Sequence, residues 1–293
     1  MKTLLLLLIF SFSAFAQSDI AQELARAAKE HNNIRRLEVF SRNYLGKPYG
    51  LNGPLGEGAD GRYDQDPLWR FDTFDCTTYV ETMMALALAR TPVEFETHLR
   101  DIRYEDGRID YLARNHFTSL QWVPNNIANG YLVDLTQRLA PKGVMRVARA
   151  QINQPGWYAK KKLTDLRAFD VTPEALSMRW DEWKAEGTRL AIEEATINYI
   201  PIDWVVPNPA FLKTIPNGSI VNFVRPNWDL TETAGTHLNV SHQGFIFQHA
   251  GQTWLRHASP SGTQTVREEL LLDYLRKYVN HPTLKGIHLM GML

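Results

Sequence analysis

The chain has 293 residues, 44% of them hydrophobic and 11% aromatic, enough for a sizeable core and against disorder over most of its length. Lysine plus arginine (32) equals aspartate plus glutamate (32), so no net field exists to hold nucleic acid or an anionic membrane. Any charged ligand has to be met by a local patch.

In chain order, the first feature is Lys2 followed by the apolar stretch 4–12 and then Ala14-Phe15-Ala16. This is the basic, hydrophobic and small-residue order of a cleavable secretory signal. The apolar stretch falls short of the roughly 20 residues that a spanning helix needs. We expect a signal peptide over 1–16, a single domain over 17–293 and an exported product, periplasmic or secreted, with no membrane anchor after cleavage. No cysteine follows the small-residue site, so lipid attachment is not indicated. Residues 19–44 read as helical from their apolar spacing.

Cys76 is the single cysteine of the chain. In an oxidising compartment an unpaired thiol is either a small buried hydrophobe or a reactive group. It opens a stretch, 73–90, whose apolar positions 79, 80, 83, 84 and 87 predict a helix, with Asp72, Thr73 and Asp75 as candidate N-caps. A thiol in the first helical turn gains from the exposed N–H groups and the helix dipole, which lower its pKa. Asp75 works against this, so an imidazole from elsewhere is needed.

Two loop-rich stretches follow, Arg114-Asn115-His116-Phe117 and Gln121-Trp122-Val123-Pro124-Asn125-Asn126. Planar amides that donate and accept at once, beside aromatic faces, suit a glycan pocket; the same residues also serve turns and packing. Lys160, Lys161 and Lys162 either meet peptide carboxylates or form a solvated run. Residues 173–195 read as helix and 220–224 as strand.

Near the C-terminal end, 239–248 and 253–259 have strand composition around a turn at His249-Ala250-Gly251-Gln252. Facing residues in an antiparallel hairpin share a constant index sum. A sum of 499 pairs His242 with His257, and a sum of 501 pairs His242 with Ser259 and leaves His257 diagonal. Either register puts both imidazoles on one sheet face, where they are a base and its orienting partner or two half-buried histidines bonded to backbone. His31, His98, His281 and His288 look solvated or structural. A helix around 268–278 and a short strand at 286–290 complete the reading, which is one α+β domain.

The succession Gly46-Lys47-Pro48-Tyr49, Asp75-Cys76, Ser241-His242-Gln243-Gly244-Phe245 and His257-Ala258-Ser259 resembles the NlpC-type branch of papain-like cell-wall hydrolases. The resemblance implies a papain-like fold in which an N-terminal nucleophile helix packs on an antiparallel β-sheet. It makes Cys76 the nucleophile, His242 the base, His257 the orienting third member and Tyr49 a donor near the oxyanion, unless Tyr49 is only a core aromatic. Thr77-Thr78 replaces the usual Ser-Gly after the cysteine, and about 114–207 is a large insertion between nucleophile and base. These departures look most like the N-acetylmuramoyl-L-alanine amidase branch, some of whose members select anhydro sugars. In that branch a similar pattern makes Asn115, His116, Phe117, Trp122, Asn125 and Asn126 substrate contacts.

The expected activity is therefore hydrolysis of the muramoyl–L-alanine amide in peptidoglycan or muropeptides, with no metal or cofactor. The rivals are a γ-D-glutamyl-diamino acid endopeptidase on the same machinery, a zinc amidase drawing on His237, His242, His249 or His257, and a glycan-binding protein without catalysis. The zinc reading lacks a His-Glu-x-x-His pair.

Overall fold

A computed structural model describes residues 18–50, 55–169 and 171–293. The expected signal segment lies outside them. Among the described residues, no helix is long and apolar enough to cross a membrane.

The expected helix over 19–44 is broken. Residues 18–25 are helical, and a turn leads to α1 (Asn33–Asn43), capped by Asn32, whose side chain accepts the Arg35 N–H. Helix α2 (Cys76–Leu88) starts where the caps suggested. The Asp75 carboxylate accepts the Thr78 N–H while the Thr78 hydroxyl faces the Asp75 N–H, a reciprocal capping box that makes Cys76 the first helical residue. Every residue from Thr78 to Ala87 is buried, so this helix is enclosed on all sides. Helix α3 (Pro92–Arg103) follows at once, with proline in its first turn and Thr91 as cap.

The stretch 114–207 does not stand apart from the fold. It supplies the strands β1 (Leu132–Asp134), β2 (Arg146–Asn153) and β3 (Ile192–Pro201), together with helix α4 (Pro173–Gly187). The reading of 173–195 as helix therefore overran into β3, whose exposed Ile192, Glu193 and Glu194 carry no strand alternation. β4 (Ser219–Leu230), β5 (Thr236–His249), β6 (Gln252–Ala258) and β7 (Val266–Leu270) form a meander. The predicted helix over 268–278 shrinks to α5 (Leu271–Arg276), because Val266–Leu270 pairs with β6 instead. The last strand, β8 (Gly286–Met292), lies in the interior of the sheet.

The result is an α+β fold with helices on the N-terminal side and an eight-stranded antiparallel sheet in the order β2-β3-β8-β4-β5-β6-β7, with β1 also paired to β8. Two cores lie on its faces. Phe245, Phe247 and Ile220 pack under α2, where Tyr79 meets Phe245 edge-on. Phe223, Ile246 and Leu255 pack with Leu271 and Tyr274 of α5 on the other face.

Candidate active site

Four chain segments are stitched together around Cys76. The Gly46–Tyr49 loop bonds to the strand leading into β7 through Gly46 N–H to Val266 O (2.8 Å) and Tyr49 N–H to Gln264 O (2.7 Å). On its other side Phe74 N–H donates to Pro48 O and Gly50 N–H to Phe74 O, both at 3.1 Å. This loop thus lies beside the residue two before the thiol. Gly46 turns at φ +87°, a left-handed value that a side chain would resist.

Cys76 remains partly exposed. Its sulfur lies 3.9 Å from Thr77 Oγ1 and faces the backbone N–H of Gln243, one peptide beyond His242. The phenols of Tyr49 and Tyr274 lie close enough for a charge on the sulfur to oppose their ionisation, which burial already disfavours. Tyr274 in turn packs against Phe223 (4.7 Å between ring centres) and against His257 (5.5 Å).

The hairpin takes the second of the two registers. Phe245 pairs with Arg256 and His249 with Gln252, a sum of 501, and the turn is the residue pair Ala250-Gly251, at φ 52° and 71°, as a two-residue type I′ turn requires. His242 and His257 are therefore diagonal neighbours, and His242 Nε2 lies 2.6 Å from His257 Nδ1. Gly244 allows the approach: a Cβ there would come within 2.9 Å of His257 Cβ and of Leu255 Cδ1. His257 Nε2 lies 3.1 Å from Glu269 Oε1 on β7. The same carboxylate takes Arg267 Nε at 3.0 Å and Lys277 Nζ at 2.7 Å. Glu269, Arg267, Lys277 and Tyr274 were not picked out from sequence, because a Val-Arg-Glu-Glu-Leu stretch before a helix reads as a solvated first turn.

The electrostatics reverse one expectation. Burial, with Asp75 next, pushes the Cys76 thiol up to about 12, outweighing the Gln243 and Thr77 N–H groups. Burial, then His257 and Arg267, holds His242 well below the usual histidine range. Burial thus favours the neutral form of both thiol and imidazole, and no direct hydrogen bond joins them among the described residues. Such contacts commonly tighten only when substrate arrives. A raised thiol pKa favours the protonated form, so alkylation of Cys76 by iodoacetamide in the free protein should be slow at pH 7 and still rising with pH at about 10. A plateau below about pH 8 would instead reveal a pre-formed thiolate–imidazolium pair.

The residues singled out in 114–126 divide in two. Trp122 and Asn126 are 0% exposed and Phe117 2%. Trp122 Nε1 donates to Glu81 Oε1 (3.2 Å), and the amides of Asn115 and Asn126 both donate to Ile102 O, at 3.2 and 3.0 Å. Glu81 also holds Arg103 Nε at 2.7 Å. Asn115, Trp122 and Asn126 are thus enclosed and bonded behind α2 and α3, and Phe117 packs with Ala150 and Ile152 of β2 and Ala195 of β3, so these side chains have little face left for a sugar. Asn125 and His116 are half-buried. Asn125 Nδ2 donates to Asn115 Oδ1 (2.6 Å), and His116 packs on Trp157 and Tyr111. Lys161 lies with its ammonium 3.6 Å from the centre of the Trp157 ring, and burial lowers it to about 8. A cavity of about 1300 Å³ is lined by Tyr44, Lys47, Trp69, Phe71 and Asp72. Neither Cys76 nor His242 lines it.

His237 and His249 lie away from this cluster, beside Asp229 and Glu268 respectively. Among the described residues, no group of three histidine, cysteine or acidic side chains is placed to share a metal ion.

An α+β scaffold that gathers a thiol, a chain of two imidazoles and a carboxylate, and a phenol at one helix start carries the groups that acyl-transfer enzymes use. The sequence matches the family described as AmiA-like, N-acetylmuramoyl-L-alanine amidase-like, over residues 39–283, and the chain belongs to that family. Among solved structures it is similar to a Legionella pneumophila protein of the DUF1460 family, at 35% identity over 97% of this chain and 96% of that one, with a TM-score of 0.90. It is also similar to an N-acetylmuramoyl-L-alanine amidase from Bacteroides uniformis, at 25% identity, 89% and 99% coverage and a TM-score of 0.60. A third similar structure, from Bacteroides fragilis and provisionally described as a xylanase, shares 28% identity over 86% and 99% of the two chains, with a TM-score of 0.59. No curated protein matches the chain.

Proposed function

We propose that the protein is an exported cysteine hydrolase of papain-like, NlpC-type architecture. It cleaves the amide between N-acetylmuramic acid, in its ordinary or 1,6-anhydro form, and the L-alanine of a stem peptide. The observation that carries this reading is the sulfur of Cys76 facing the peptide next to His242, with Tyr49 and Tyr274 beside it. Membership of an amidase-like family and the likeness to a Bacteroides amidase support the choice of bond.

In this mechanism Cys76 attacks the lactyl carbonyl carbon as its proton passes to His242. Because thiol and imidazole start neutral, proton transfer and attack are coupled. The Tyr49 hydroxyl and backbone N–H groups at the start of α2 receive the oxyanion, a contribution worth a few kcal/mol for such donors. The C–N bond then breaks as His242 returns the proton to the alanine nitrogen, and the peptide leaves. Water, deprotonated by His242, attacks the thioester, releases the muramic acid carboxylate and restores the thiol. Of the six expected substrate contacts in 114–126, Asn125 and His116 are the ones left with exposed surface. Pairs of carboxylates, the usual glycosidase machinery, have no part in this cluster.

Mass spectrometry of a muropeptide tetrapeptide after incubation, with reducing or anhydro sugar, tests the reading. The expected products are a free tetrapeptide with L-alanine at its N-terminus and a muramic acid with a free lactyl carboxylate. A sugar still carrying a dipeptide would move the cut to the γ-D-glutamyl bond. Activity abolished by chelator and indifferent to alkylation would remove the thiol from the chemistry.

A further inference from the structure

The imidazole pair raises a question of direction that the distances answer. Between His242 Nε2 and His257 Nδ1 at 2.6 Å, one nitrogen must donate and the other accept, and the choice decides which nitrogen of His242 keeps a lone pair. Were His257 to donate from Nδ1, His242 Nε2 would accept and its Nδ1 would carry hydrogen, leaving no basic nitrogen free. The Cys76 proton would then have nowhere to go.

The far end of the chain breaks the symmetry. Glu269 Oε1 faces His257 Nε2 at 3.1 Å and Arg267 Nε at 3.0 Å, and Oε2 faces Lys277 Nζ at 2.7 Å. A carboxylate between two cations can only accept, so His257 Nε2 must be the donor. A neutral His257 then has a bare Nδ1, which accepts from His242 Nε2–H. The His242 Nδ1, which has no hydrogen-bond partner among the described residues, keeps its lone pair. A doubly protonated His257 would undo this ordering. Its burial at 1% exposure and the approach of Arg267 and Lys277 disfavour that form, against the pull of Glu269, while Tyr274 adds a neutral ring.

We propose that Glu269 is a positioning residue: by accepting the Nε2–H of His257 it sets the direction of both imidazole hydrogen bonds and leaves the Nδ1 lone pair of His242 as the base. The proposal rests on the assignment of His242 as base made above. Arg267 and Lys277 hold the carboxylate in place, and neither needs to touch substrate.

Nitrogen-15 spectra of histidine-labelled protein test it without any substrate. At pH 7 the wild type should show His242 and His257 both hydrogen-bearing at Nε2 and bare at Nδ1. An Nδ1–H form of His242 would overturn the proposal. Glu269→Gln supplies an amide that can turn to donate or accept, so both tautomers should coexist. On whichever muropeptide the wild type cleaves, kcat should fall by about 10–100-fold, the scale known for groups that orient a metal-bound imidazole, with KM nearly unchanged. A variant with wild-type tautomers and wild-type kcat would also overturn it. If the variant fails to fold, the wild-type spectra still decide the matter. If the wild type cleaves no muropeptide, the proposed function falls while the tautomers remain readable.

Discussion

Replacing Cys76 by alanine is expected to lower muropeptide turnover by about six orders of magnitude, the scale seen when a nucleophile that acts as a unit with its base is removed. Affinity should survive, because the groups left to hold the substrate, Tyr49, His116 and Asn125, are untouched. Stability should move by about 1 kcal/mol, the common size for a single substitution, since one sulfur of a half-buried residue is lost. Calorimetric titration of the alanine variant with intact muropeptide, beside a turnover assay and a thermal melt, separates these effects. Turnover persisting within tenfold of wild type would dismiss the thiol as nucleophile. Loss of binding together with turnover would mean that the substitution had disturbed the groove.

The second large effect concerns stability. Glu81 and Arg103 form an ion pair whose side chains are 3% and 0% exposed, and Glu81 also accepts the indole N–H of Trp122. Changing Glu81 to leucine strands the guanidinium without a counter-charge and leaves the indole without an acceptor. Breaking one side of a buried pair typically costs about 3–5 kcal/mol. Urea unfolding should register a loss of that size. The double variant Glu81→Leu/Arg103→Met should recover much of it, since apolar groups of similar volume often replace a buried pair at little cost. A single-variant loss below about 1 kcal/mol would show that water reaches the pair.

These two sites mark what could and could not be seen in the sequence. The start of α2 was legible because Asp75 and Thr78 announce a helix start at fixed spacing, and the hairpin was legible because strand alternation places His242 and His257 on one face in either register. What escaped needed partners distant in the chain. Trp122 and Asn126 have the composition of a sugar pocket, and only the arrival of Glu81 and Ile102 turns them into buried scaffold. Glu269 lies in a charged run, and its role emerges only when β7 pairs with β6 and sets it across from Leu255. The thiol's burial escaped for a related reason. Local rules weigh the helix dipole against Asp75, whereas burial, the largest influence on the thiol, depends on the tertiary fold.

The placement of β8 has a temporal consequence. It bonds to β3 on one side and to β4 on the other, so the paired strands β2 and β3 and the β4–β7 meander become one hydrogen-bonded sheet only after residues 286–292 insert between them. A ribosome-bound chain that has already produced Cys76, His242 and His257 still lacks the wedge that joins its two halves. Pairings of such long sequence separation form slowly, so the proposed site should assemble late, and removal of the β8 segment should abolish the proposed activity by leaving the sheet in two pieces.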